Sequence, residues 1–148
     1  MLEAGSFIGG AVLSFLGIAV GAAIAHFTPA EVAAGRRYFL WAQRAALAAF
    51  GALVLAMLGL HLVLLLFLAA LMLIGLVLGN IGRYSAILAP ILGLCLWLLS
   101  PTPLLFLYGS SVLFLYWMVT GTRECSQGWK LAWHSSFLLG AILPFLLV

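Results

Sequence analysis

The sequence predicts an all-α, polytopic transmembrane helical bundle of about six spans with short loops, a single integral membrane domain over residues 1–148. Composition comes first: of 148 residues, 67% are hydrophobic and 6% charged, with a mean hydropathy of +1.32. A soluble domain needs about a quarter of its residues charged to coat its surface, and disorder needs low hydrophobicity with high charge. Lipid is therefore the solvent expected for most of the chain, and there only helices and closed barrels satisfy their backbone. Segment length comes second. Several apolar runs approach the roughly 20 residues that a helix needs to cross about 30 Å of hydrocarbon. Punctuation comes third, because prolines, glycines and arginines separate those runs.

The first span is expected at 7–27. Glu3 stands where a signal peptide carries Lys or Arg, and the apolar run outlasts a signal's core, so a retained span is predicted. Thr28-Pro29-Ala30-Glu31 is a capping box with proline at the first helical position, which would let the Thr28 hydroxyl and Glu31 carboxylate satisfy amides at the start of the second helix. The second span is placed at 38–58. No formal charge lies between Arg44 and Arg83, and a single helix from Ala45 to Gly79 would run about 50 Å, too long for one crossing. A reversal at Gly59-Leu60-His61 resolves this and puts the third span at 62–79.

Gly79-Asn80-Ile81-Gly82-Arg83 is turn chemistry. The fourth span follows at 85–99, with a kink expected at Pro90. Ser100-Pro101-Thr102-Pro103 stops it, since two such prolines cannot continue a helix. The fifth span is placed at 104–120 and the sixth at 131–148, on either side of the polar stretch Gly121–Lys130.

Basic residues fall in alternate loops: Arg36 and Arg37 in the first, Arg83 in the third, Arg123 and Lys130 in the fifth. The positive-inside rule then makes loops 1, 3 and 5 cytoplasmic and both termini non-cytoplasmic, in the cell (cytoplasmic) membrane.

Small residues mark the helix contacts. Gly10, Ser14, Gly17, Gly21 and Ala25 recur at steps of three or four, and Ala45, Ala49, Ala52, Ala56 and Gly59 form a second ridge. Lipid offers no hydrophobic drive between helices, so close backbone approach supplies the contact instead. Spans one and two are expected to pack on each other, with a subunit interface through span one as the alternative. Spans three to five, rich in Leu, Phe and Tyr, are expected to form lipid-facing or loosely packed walls. Trp41, Trp97, Trp117, Trp129 and Trp133, with Tyr38 and Tyr84, are expected to form an interfacial aromatic belt.

Chemistry-bearing residues are sparse. The net charge of +3 reflects a shortage of acids, and no basic groove with interleaved aromatics points to nucleic acid. Cys95 and Cys125 are lone residues in different segments. Arg44 lies inside the second span, where a charge is costly and marks a site unless it snorkels to the head groups. It shares a helical stripe with Arg37 and Trp41, beside Gln43. Arg44, Gln43, Arg37 and His134 are the candidate residues for a negatively charged group. His26 and His134 fall at one expected depth, which makes them weak candidates for metal or haem ligands. No acid or second cysteine completes a metal set, and no cofactor is expected. Mid-span Ser110 and Ser111 more often bond their own helix, and no buried carboxylate exists to orient a histidine for Ser-His catalysis.

The acids are Glu3, Glu31 and Glu124, with no Asp at all. Cation-coupled carriers and magnesium-dependent lipid enzymes place carboxylates in the membrane, so both classes are disfavoured. The leading expectation is transport, permeation or flipping of a neutral or anionic solute or a lipid, resting on Arg44, Gln43 and a polar line of Tyr108, Ser110, Ser111 and Tyr116. The alternative is a non-catalytic assembly or anchoring subunit of a larger membrane complex. The third is a His-ligated haem or redox protein. Membrane lipids, a homo-oligomer or a larger complex are the partners these readings imply.

Overall fold

The computed structural model describes residues 3–57, 85–124 and 134–147. The described residues are helical apart from short turns: α1 (Ala4–Phe27), α2 (Pro29–Met57), α3 (Ser85–Leu98), α4 (Pro103–Glu124) and α5 (Ser136–Leu147). Three of these, α1, α2 and α4, are long and apolar enough to cross a membrane. The reversal at Gly59-Leu60-His61, the third span at 62–79, the Gly79–Arg83 turn, Tyr84, Cys125, Trp129, Lys130 and Trp133 lie outside the described residues.

Proline sets the start of two helices. Pro29 and Pro103 each occupy the first helical position, where the missing N–H costs nothing and the fixed φ is already helical. The carbonyls of Thr28 and Thr102 accept from Val32 (3.1 Å) and Phe106 (3.0 Å), closing the first turns. The expected capping box does not form, although the proline stands where it predicts. The Thr28 hydroxyl turns back and donates to the Ile24 carbonyl at 2.9 Å, so it terminates α1 instead of serving the amides of α2. A single residue therefore separates the two helices. What the sequence suggests as a basic first loop is helix, and α2 carries Arg36 and Arg37 on its own surface.

The packing partner of α1 also differs from expectation. Its buried face is Phe7, Ala11, Ser14, Gly17 and Gly21, and this ridge seats on α4, not on α2. A Cβ at Gly17 would fall on the carbonyl oxygen of Phe114, and one at Gly21 on that of Met118, with Thr122 N 2.8 Å away. The contact is reciprocal: a Cβ at Gly121 would fall on the Ile18 carbonyl oxygen. A Cβ at Gly10 would lie 2.6 Å from the ring of Phe106. The Ser14 hydroxyl shares its proton between the Gly10 carbonyl (2.7 Å) and the Ser110 carbonyl across the interface (3.1 Å). Gly10, Gly17 and Gly21 meet Phe106, Phe114 and Met118 in turn, so α1 and α4 run parallel.

On its other side α4 receives α2 antiparallel, since Gln43, Phe50 and Met57 meet Thr120, Gly109 and Thr102 respectively. The buried face of α2 is Gln43, Leu47 and Phe50. Among the described residues nothing packs closely on its alanine ridge, and Ala45, Ala49 and Ala56 are exposed. The reason is volume. The α1–α4 crossing takes the closest backbone approach, and α2 fills a wider gap with larger side chains.

The helices α3 and α5 form a second glycine-paired unit. A Cβ at Gly93 would fall on the Phe137 carbonyl oxygen, and one at Gly140 on that of Pro90. This pair docks on α1, α2 and α4, with an aromatic cluster at the junction. Trp117 of α4 packs on Phe15 of α1 (5.6 Å between centroids), on Phe137 of α5 (5.4 Å) and on His134 (5.2 Å). Trp117 is fully buried, so it is a core residue and not part of an interfacial belt; Trp41 and Tyr38 are exposed, as a belt requires. Likewise α4, expected as a lipid-facing wall, is the hub: Leu113, Tyr116, Trp117 and Thr120 are all buried.

Candidate functional site

The site is built where the last turn of α4 passes the first half of α2. At 29 residues α2 is about 43 Å long, and none of residues 29–42 is buried. Ala33, Arg36, Arg37 and Leu40 recur at helical spacing and so share a face, and Arg123 from α4 meets that face. With Ala34 they line an open cleft of about 480 Å³. Three arginines line it, and among the described residues no carboxylate does.

Arg123 is held from below by a polar chain whose direction is fixed by valence. The Thr120 hydroxyl donates its only proton to the Tyr116 carbonyl at 2.9 Å, so towards Gln43 it can only accept. Gln43 therefore presents its Nε2 to Thr120, at 2.9 Å, and its Oε1 accepts from Arg123 Nη1. A guanidinium is donor-only, which requires that amide orientation. Gln43 and Thr120 are buried and Arg123 is half-buried. The chain is neutral apart from Arg123 itself, so it positions the cation without cancelling its charge.

Such a cleft can bind an anion strongly. Guanidinium forks match the oxygens of phosphate or carboxylate and hold their charge at any physiological pH. Among the described residues its lining supplies no acid, thiol or imidazole, so those residues offer binding and orientation.

Of the residues singled out from sequence, Gln43 is the buried anchor and Arg37 a wall of the cleft. Arg44, one residue on, lies about 100° around the helix; it is half-buried, with its guanidinium 5.6 Å from the centroid of the Trp41 ring. His134 is buried in the Trp117–Phe137 cluster, whereas His26 is exposed beside Phe27. No contact joins the two histidines, and no group of three potential metal ligands exists among the described residues.

The polar line expected along the fifth span splits around the helix. Tyr108 is exposed and Tyr116 buried, and the Ser111 hydroxyl donates to its own helix at Leu107. Arg123 and Thr120 were not singled out from sequence. Arg123 lies beyond the expected end of the fifth span at 120, yet α4 runs on to Glu124. The Thr120–Arg123 spacing of three was the available signal, since it puts both on one helical face.

No family model matches the chain, and no curated protein or solved structure is similar to it.

Proposed function

We propose that this integral membrane protein captures an anionic solute or lipid head group in the Arg36–Arg37–Arg123 cleft, as the entry step of permeation or flipping. The observation that carries this reading is a single cleft lined by Arg36, Arg37 and Arg123, with the Arg123 guanidinium hydrogen-bonded to the neutral amide of Gln43. Under the positive-inside rule the cleft faces the cytoplasm. The parallel run of α1 and α4, with α2 antiparallel, is what alternate crossing demands of a first, fifth and second span. The cleft then sits at the head-group layer, flanked by the exposed rings of Tyr38 and Trp41.

The Arg36→Gln/Arg37→Gln double variant tests this in reconstituted vesicles. Both positions are exposed, so the fold should persist while anion flux or head-group translocation falls at least about tenfold, one tenfold step being about 1.4 kcal/mol of binding. Wild-type rates from a folded double variant would reject the reading.

A second reading, an assembly or anchoring subunit, is favoured by the alanine face of α2. Ala45, Ala49 and Ala56 make a close-packing surface that no described helix covers. In a background with Cys95 and Cys125 replaced by Ala, Ala49→Cys should cross-link to a second membrane helix in native membranes. Gly9→Cys, on an open face of α1, should not. Equal cross-linking at both positions would remove the assembly reading.

A further inference from the structure

A second concavity runs along the α1–α4 crossing, away from the arginine cleft. Its volume is about 520 Å³, and Gly10, Ser14, Phe106, Ser110, Ser111 and Phe114 are among the residues that line it. Small-molecule sites typically measure about 300–1,000 Å³. Leu13 and Leu107, which also line it, are exposed, so in a bilayer the groove opens to acyl chains. No charged residue lines it among the described residues. Ser110 stands about 10 Å along α4 from Pro103 and about 20 Å from Arg123, which puts it inside the hydrocarbon.

One hydroxyl in this groove is uncommitted. A serine or threonine within a helix commonly returns its proton to the carbonyl four residues back, and in α4 Ser111, Thr120 and Thr122 all do so. Ser14, on the facing helix, gives its proton to the Gly10 and Ser110 carbonyls. Ser110 departs from the pattern. It is 9% exposed, and its Oγ has no hydrogen-bond partner among the described residues. That oxygen lies at the floor of the groove, 3.6 Å from where a Cβ at Gly10 would stand. Rotation about one side-chain bond presents it to a molecule above. A buried donor without a partner costs free energy, and an acceptor on a bound molecule would recover it.

The chemistry of the occupant follows from complementarity. An uncharged lining calls for an uncharged ligand, and a spare donor calls for an acceptor oxygen. The esters of bilayer phospholipids stand at the edge of the hydrocarbon, about 10 Å too shallow to meet Ser110. Phe106 and Phe114 lie four residues to either side of Ser110, so two aromatic rings flank the hydroxyl along the groove and favour a flat ring that carries the acceptor. We infer that this groove binds a lipid-soluble quinone, seated by a hydrogen bond from the Ser110 hydroxyl to a ring carbonyl. This site is separate from the arginine cleft and does not depend on anion capture.

The full chain, purified in an uncharged detergent, is titrated with three probes, and native mass spectrometry reads binding. Decylubiquinone is the quinone, decylbenzene supplies a ring and chain without carbonyls, and dioctanoylglycerol is an uncharged acyl ester without a ring. Decylubiquinone should bind about five- to tenfold tighter than either of the others. Ser110→Ala should weaken quinone binding by a similar factor, while Ser111→Ala should leave it unchanged, because that hydroxyl is already bonded to Leu107. Without ligand, Ser110→Ala should melt at the wild-type temperature, since it removes no bond that holds the fold. A lowered ligand-free melting temperature, wild-type quinone affinity in Ser110→Ala, or equal binding of decylubiquinone and decylbenzene would each overturn the inference. Tighter binding of dioctanoylglycerol overturns it in favour of an acyl lipid, and absence of binding by all three overturns it outright.

Discussion

Gly21→Leu is expected to destabilise the bundle by about 3 kcal/mol, at the upper end of what overpacking costs in a well-packed interior. The obstacle is backbone. A Cβ at Gly21 meets the Met118 carbonyl group and the Thr122 nitrogen, and a helix backbone cannot rotate aside as a side chain can. The α1–α4 crossing must widen, which also breaks the Ser14–Ser110 bond, itself worth about 0.6 kcal/mol in a membrane. Gly17→Leu should behave alike, because it meets Phe114 and Met118 backbone in the same way. Gly9→Leu is the control, since nothing lies within 4 Å of its Cβ. Reversible unfolding in mixed micelles measures all three. Wild-type stability for Gly21→Leu, or equal losses for Gly9→Leu, would refute the α1–α4 crossing.

The second large effect is expected at Gln43, where two substitutions separate folding from anion capture. Gln43→Leu fills a similar volume but removes the acceptor from Arg123 and the donor from Thr120. A hydrogen bond to a charged group is worth about 1.5–3 kcal/mol, so a loss near 2 kcal/mol is expected. Gln43→Glu keeps an acceptor for Arg123 and strengthens it with charge, so the protein should remain folded. Its carboxylate would neutralise one of the three cations and should weaken anion binding at least about tenfold, or about 1.4 kcal/mol. Isothermal titration beside a thermal melt reads both quantities. A folded Gln43→Glu protein that binds anions as wild type does would show that Arg123 plays no part in the cleft.

The helical class, the helix start at Pro29 and the glycine ridge of α1 were legible because each rests on local chemistry: hydropathy, a proline at a first helical position, and a 3.6-residue period. The partner of that ridge was not. Small residues announce close approach without naming what approaches, and Gly121, the reciprocal glycine, lies in a stretch that composition marks as loop. Arg44 illustrates a second limit. A charge inside an apolar run draws the eye, yet helical phase gives the buried position to its neighbour Gln43. The cation that completes the site, Arg123, comes from a helix 80 positions away in the chain, and no local pattern links the two. Trp117 shows a third: an aromatic near an expected span end looks interfacial, but α4 continues to Glu124 and carries that ring into the core.

The Ser14–Ser110 contact joins residues 96 apart, which has a consequence for biogenesis. A ribosome adding about 5–20 residues per second needs roughly 5–20 s to make that intervening stretch. Throughout that interval the first helix sits in the bilayer with its glycine seam unmated. A chain arrested before Pro103 should therefore be prey to quality-control proteases or to pairing with foreign helices, and supplying α4 from a separate transcript should rescue it.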